Sequence, residues 1–302
     1  MNNQDYEFKE LGPVWHLCTS GKHQCSFFRT RDDYVYGMNL VALAASNYRE
    51  KIKILTFQLM SNHFHFVMAC DEPSVKEFFD FLYKKMHRYL AEFQRASEIQ
   101  KIEHKAYRVE DLRYLKTVIT YVNRNGYLAN QNETPFTYEW GANNCYFNPQ
   151  TYRQAAIPVS ELKLIKKREM FKSRNFEIDG NYKYLKDTGY IAPYSYCCID
   201  LAESFYRDAH DYFHLVSRQV ETYSQIAREL GDTVTYTDEE LYSAVFAIIG
   251  KRYDVKNPVL LGSKEKIEMA KQLKYEYNAT NKQIQRLLKL DENTVETLFP
   301  KL

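Results

Sequence analysis

Residues 51–70, KIKILTFQLMSNHFHFVMAC, restrict the fold more than any other part of this chain. They read as a strand in two runs, ILTFQLM and HFHFVM, with Ser61 and Asn62 at the junction. In the second run residue type alternates, and a period of two belongs to a strand. His63 and His65 therefore point to one face of a sheet, and Phe64, Phe66 and Met68 to the other. The aromatic face asks for helices packed on it. The opposite face carries two imidazoles with β-carbons roughly 7 Å apart, close enough to hold one metal ion. Two structural histidines near a sheet edge would give the same short pattern, so the weight of the motif depends on its surroundings.

Those surroundings read as α+β. VWHLCT, residues 14–19, is a first strand that alternates Trp15 and Leu17 against His16 and Cys18. His16 is read as structural, in reach of the site only if a neighbouring strand brings it there. Thr30 suits a helix N-cap with Asp32 and Asp33 in the first turn, followed by Tyr34, Met38, Val41 and Ala45 at helical spacing. After the histidine stretch comes a long amphipathic helix with Phe78, Phe81, Leu82, Met86 and Tyr89 as its stripe. Lys84, Lys85 and Arg88 lie on its outer part, where they can meet phosphates. Residues 98–110 read as a loop. Asp111 then opens another helix, in which Leu112, Leu115, Val118, Ile119 and Val122 pack inward and Gly126 is the expected stop. Tyr121 and Asn125, four residues apart, share one helical face, with Arg124 beside them. The pattern predicts a first domain over 1–150, an α+β sandwich with helices stacked on one sheet face.

Residues 151–235 read as a helical, partly basic extension. Its densest patch, KLIKKREMFKSR, holds Lys163, Lys166, Lys167, Arg168, Lys172 and Arg174 against Glu169 alone. Residues 236–302 read as a trihelical, helix-turn-helix-like domain with Thr237 and Ser263 as caps. Its last helix carries Asp291, Glu292 and Glu296, which suit major-groove contact poorly. Net charge is +2, too small a bias to announce or exclude a nucleic-acid partner. The 26 Tyr and 18 Phe suit either cores or stacking on unpaired bases. Six cysteines without C-x-x-C spacing, no signal peptide and no long apolar run predict a reduced, soluble, cytoplasmic protein without a membrane partner.

LMSNHFHFVM resembles the signature of the single-tyrosine HUH nucleases, in particular the transposase family acting on single-stranded insertion sequences and its REP-associated relatives. YVNRNGYLA is similar to that family's later tyrosine helix, HLCTSG to its usual opening and PFTYEWGANNCYF to its close. The likeness covers about residues 11–150. Ser61 stands where the family often has Pro, and Gly126 where it often has Pro after the Asn. The resemblance implies an HUH, ferredoxin-like catalytic domain that nicks and joins single-stranded or hairpin DNA through a 5′-phosphotyrosine. Tyr121 would be the nucleophile, and His63, His65 and Asn125 would hold Mg²⁺ or Mn²⁺. It also admits a homodimer. Lys84, Lys85, Arg88, Arg124, Lys163, Lys166, Lys167 and Arg168 are the candidate DNA contacts. Two other readings stand beside this one: a metal-dependent nuclease using water, and a DNA-binding regulator that keeps the fold without transposing.

Overall fold

β1 (Val14–Thr19), β2 (Lys53–Leu59), β3 (Phe64–Ala69) and β4 (His104–Val109) form one antiparallel sheet in the order β2-β3-β1-β4. The structure is a computed structural model and describes residues 3–19, 26–100, 102–128, 137–218, 238–253, 255, 257–275, 277 and 279–300. Residues 219–237, the expected Thr237 cap among them, thus lie outside the described residues, with the helix expected there. The chain divides into two compact units, Met1–Arg218 and Gln219–Leu302.

The histidine stretch is a hairpin rather than one interrupted strand. Met60 N donates to His63 O at 2.8 Å, and Ser61 O accepts from both Phe27 N and Phe28 N at 2.9 Å. Polar Ser61 and Asn62 sit at the bend, so the chain reverses there and the two runs pair with each other. β4 occupies the segment read as a loop. Its His104, Lys105, Tyr107 and Arg108 hide the strand from a hydrophobicity pattern, because it is a largely exposed edge.

α1 (Asn3–Glu10) precedes the sheet, and α2 (Arg31–Asn47) and α3 (Glu72–Glu92) cross over its aromatic face. Phe66 lies 5.5 Å from Phe57 and 5.2 Å from Phe78, ring centre to ring centre. Gly37 lets Phe28 slide against α2, since a β-carbon there would stand 2.6 Å from the Phe28 ring. The expected Thr30 cap forms as a full capping box with Asp33.

Asp33 also ties this layer together. Its carboxylate accepts from Arg29 N at 2.8 Å, Thr30 N at 3.0 Å and the Tyr89 hydroxyl at 3.1 Å, and it pairs with Arg95 at 3.0 Å. Burial alone would raise its pKa. The two backbone donors and the Arg95 guanidinium outweigh burial and hold the carboxyl below its ordinary value.

α4 (Leu112–Leu128) lies on the other face, which corrects the expectation of helices on one face only. Leu115, Val118, Ile119 and Val122 are fully buried there, and the sheet's second face is buried as well. One apolar stripe and one sheet face cover each other. Asp111 caps this helix as expected, accepting from Tyr114 N at 2.7 Å. The helix does not stop at Gly126 but runs to Leu128. A glycine inside a helix costs only about 1 kcal/mol, which the preceding buried turns offset.

Residues 137–218 belong to the first unit and close it, so the boundary expected at residue 150 falls within that unit. Leu59 N donates to Trp140 O at 2.8 Å and Ala142 N to Phe57 O at 3.0 Å, covering the β2 edge. Gly141 permits this approach, because a β-carbon would stand 2.6 Å from Phe57 O. β5 (Ala156–Pro158) and β6 (Lys183–Leu185) make a small second sheet in a segment read as helical, flanking α5 (Leu164–Phe171). α6 (Ile199–Ser204) and α7 (Ala209–Arg218) follow. Buried Asn39 of α2 accepts from Ile191 N at 3.1 Å and donates to Gly189 O at 3.2 Å.

The second unit contains α8 (Asp238–Arg252), α9 (Ser263–Tyr275), α10 (Asn281–Leu288) and α11 (Glu292–Leu298). Ile284, Leu287, Leu288 and Val295 are buried, as their spacing predicts. Thr280 caps α10 through a box with Gln283. Ser263 is the first residue of α9, where Gly262 N is held by Glu265 at 2.7 Å. Asp291 caps α11 and so is spent on structure.

Because Asp33 titrates lower when folded than when unfolded, the unfolded chain binds more protons in acid. Its stabilisation is complete above the ordinary Asp range, near 3.9, and is lost as pH falls through the lower native value. Asp33→Asn removes one of the two carboxylates on Arg95, leaving Glu98 at 3.0 Å, and is expected to cost about 1–3 kcal/mol at neutral pH. Urea melts of wild type and variant from pH 7 down to pH 3 check this: the gap between them should narrow in acid.

Candidate functional site

Register places the polar residues of the α4-facing side in two rows. Gln58 pairs with His65, His65 with Cys18 and Cys18 with Lys105, strand to strand across the sheet. One step along, Thr56 pairs with Val67, Val67 with His16 and His16 with Tyr107. His63 stands just before β3 at the hairpin bend. Its ring centre is 5.0 Å from that of His65, so the two imidazoles do meet as their spacing predicts. Asn62 Oδ1 holds His63 Nδ1 at 2.7 Å.

α4 lays its polar side over these rows. Tyr121 sits edge-on to His65 at 5.6 Å and to His16 at 6.1 Å between ring centres. One turn on, the Asn125 amide stands 3.5 Å from His65 Nε2. Tyr121, Asn125, His63 and His65 are thus brought together. Tyr121 is 1% exposed, however, and His65 is wholly buried. His63 is buried too, at 7% exposed, and half-buried Asn125 and Asn62 with exposed Ser61 form the rim of the group.

Strand pairing brings His16 to the group, and Cys18, Thr56, Gln58 and Asn123 join it without having been expected there. His16 Nε2 stands 3.1 Å from His65 Nδ1, with the two rings stacked at 25°. His16, Cys18 and His65 place three ligand atoms within 4.8 Å of one another, so this buried trio could hold a metal ion. Farther along α4, Asn123 Oδ1 accepts from the Thr56 hydroxyl, and its backbone carbonyl accepts from Gln58 Nε2 at 3.0 Å. Asn123 Nδ2 donates to the Tyr212 hydroxyl of α7 at 2.9 Å. The alternation Thr56, Phe57, Gln58, Leu59 was the signal for this row, since it continues the polar face of the histidine strand onto its neighbour.

The basic candidates do not gather here. Lys84, Lys85 and Arg88 ride on α3, across the sheet from the histidines. Lys163, Lys166, Lys167 and Arg168 belong to α5 and its start, and α5 packs on α2, again on the far side. Burial, and then neighbouring Arg88, lower the Lys85 pKa. Arg124 is 0% exposed, so it is a core residue in this structure and presents no charge to the surface. Among the described residues the cysteines form no disulfide, and no helix is long and apolar enough to cross a membrane.

No protein-family model matches this chain, and no curated protein or solved structure matches it either.

Asn123 is expected to be a structural anchor of the site. Asn123→Leu deprives two buried hydroxyls, on Thr56 and Tyr212, of a partner and should cost about 1–3 kcal/mol. In a double-mutant cycle followed by urea unfolding, Thr56→Val should cost less in the Asn123→Leu background than in wild type.

Proposed function

We propose that this protein cuts and rejoins single strands of DNA, or hairpins, with Tyr121 as nucleophile and a divalent ion held by His63, His65 and Asn125, in the manner of the single-tyrosine HUH transposases that its sequence resembles. The observation that carries the reading is the convergence of α4 on the histidine hairpin. Tyr121 and Asn125 share a helical face, and that face lands on His65 beside His63. The connectivity agrees with it. A β-α-β-β-α-β path with strand order β2-β3-β1-β4 is the split arrangement of ferredoxin-like folds.

The donor types suit the ion, with Asn125 turning its Oδ1 toward it in place of the Nδ2 that faces His65 Nε2. Two imidazole nitrogens and an amide oxygen suit Mn²⁺ well and Mg²⁺ acceptably, whereas the thiol of Cys18 would draw a softer ion such as zinc to the inner trio. Asn125 is half-buried, beside half-buried Asn62 and exposed Ser61, and this is the side from which a phosphate can arrive. A bound divalent ion would supply positive charge to the non-bridging phosphate oxygens as the transition state gathers negative charge. The chain's own residues do the rest. The Tyr121 oxygen attacks phosphorus in line, the P–O3′ bond breaks, the phenolic proton passes to water and the departing O3′ takes one from water, so that no net proton is released. The product is a 5′-phosphotyrosine with a free 3′-hydroxyl, and attack by another 3′-hydroxyl reverses the step and joins strands. Because Tyr121 is 1% exposed, catalysis requires the site to open before a strand reaches it. The basic residues of α3 and α5, on the far side of the sheet, then serve flanking DNA and not the scissile phosphate.

Tyr121→Phe removes one oxygen from a buried ring and is expected to abolish a metal-dependent protein–DNA adduct on denaturing gels, with labelled single strands and hairpins as substrates. A water-using nuclease would still cleave after this change, and a DNA-binding regulator would show no cleavage in wild type. If wild type cleaves without ever forming the adduct, the covalent mechanism is wrong.

His63→Ala should lower Mn²⁺ affinity by about tenfold or more, and because the ring is 7% exposed it should also lower the thermal midpoint, so the titration is run well below that midpoint. Calorimetric titration of the full chain with Mn²⁺ checks this, and unchanged affinity would remove His63 from the site.

A further inference from the structure

His65 offers two nitrogens, and they face different partners. Nε2 faces the Asn125 amide and Nδ1 faces His16 Nε2 at 3.1 Å. Two neutral imidazoles at that distance share one proton between those nitrogens, and whichever ring donates it fixes the free lone pair of the other. If His16 donated, His65 would carry its own proton on Nε2 and could not bind an ion on the Asn125 side. If His16 accepts, His65 is protonated on Nδ1, and Nε2 keeps its lone pair pointed at Asn125.

We infer that His16 is a positioning residue: it accepts the Nδ1–H of His65, locks that imidazole in the Nδ1-protonated tautomer, and so aims the His65 Nε2 lone pair at the Asn125 side, where the proposed ion would bind. The inference deepens the function proposed above and rests on it for the identity of the ion.

Three further observations bear on it. Both rings are fully buried, which strengthens the hydrogen bond between them relative to one in water. They are stacked at 25° with centres 5.3 Å apart, and Tyr121 packs edge-on against each, which keeps the His65 ring from turning over. His16 sits on β1 one step from the cross-strand partner of His65, so the hydrogen-bonding of β1 to β3 holds the contact in register. A partner that fixes the tautomer of a metal-binding histidine commonly sets affinity by about 10–100-fold without touching the ion.

The test begins on the full-length, metal-free protein with nitrogen-15-labelled histidine, at a pH where both imidazoles are neutral. Long-range proton–nitrogen correlations distinguish the two tautomers directly. The expected wild-type spectrum has His65 protonated on Nδ1. His16→Leu should give a mixture of tautomers and a loss of Mn²⁺ affinity of about 10–100-fold. His16→Gln, which returns an amide oxygen near the position of Nε2, should restore most of both. A wild-type His65 protonated on Nε2 overturns the proposal, and that arm stands even if His16→Leu does not fold. So does a His16→Leu variant with wild-type tautomer and affinity. If Cys18→Ser weakens the ion as much as His16→Leu does, His16 is a ligand in the inner trio and the positioning role is wrong. A wild type with the expected tautomer that takes up no Mn²⁺ sinks the metal-dependent function but not the His16–His65 assignment.

Discussion

Everything in the first unit depends on how one sheet face disposes of its polar groups. Thr56, Gln58, His65 and His16 are all buried, and none of them can be left without a hydrogen-bond partner in a core. α4 answers that demand. Its apolar residues turn inward as in any amphipathic helix, and Tyr121, Asn123 and Asn125 are placed where the sheet has polar atoms to match. The same contacts that hold the helix in place also create the candidate site, so the register of α4 on the sheet and the geometry of the site are one property.

The opposite face follows the other rule. Phe57, Phe64, Phe66, Phe78 and Phe79 interlock by shape, and the one buried charge there, Asp33, is fully engaged by backbone donors, Tyr89 and Arg95. A core of this kind tolerates changes that conserve volume, whereas the polar face tolerates few changes of any size. The two faces of β3, set apart by nothing more than alternation, thereby carry separate duties: cohesion on one side and chemistry on the other.

Much of this was legible in the residues. Alternation located β1 and the histidine pair, capping chemistry located the starts of α2 and α4, and helical spacing put Tyr121 and Asn125 together. What escaped notice did so for physical reasons. β4 is an exposed, charged edge with no apolar rhythm to read. Placing α4 on the second face required knowing that this face was buried, which Thr56, Gln58 and two histidines do not advertise. α4 passes its expected C-terminal stop at Gly126 because packing outweighs one residue's propensity. For His16 the residues left open whether a neighbouring strand would bring it to the site, and only the pairing of β1 with β3 makes it a neighbour of His65. The roles of Lys84, Lys85, Arg88, Arg124 and the α5 cluster depended on where helices sit around the sheet, a long-range property that composition does not encode.

The late segments that close the sheet bear on how the chain is made. The four strands are complete once residue 109 has been synthesised, yet the β2 edge gains Trp140 and Ala142 only later, and Ile54 O waits for Cys198 N, which reaches it at 2.8 Å. A chain emerging from the ribosome at about 5–20 residues per second therefore spends seconds with an apolar strand edge uncovered. During that interval β2 is a template for any other extended segment, including its own copy on a neighbouring nascent chain. The native partner arrives last in sequence order, so the yield of folded protein in a cell is governed by how well that edge is shielded while translation continues.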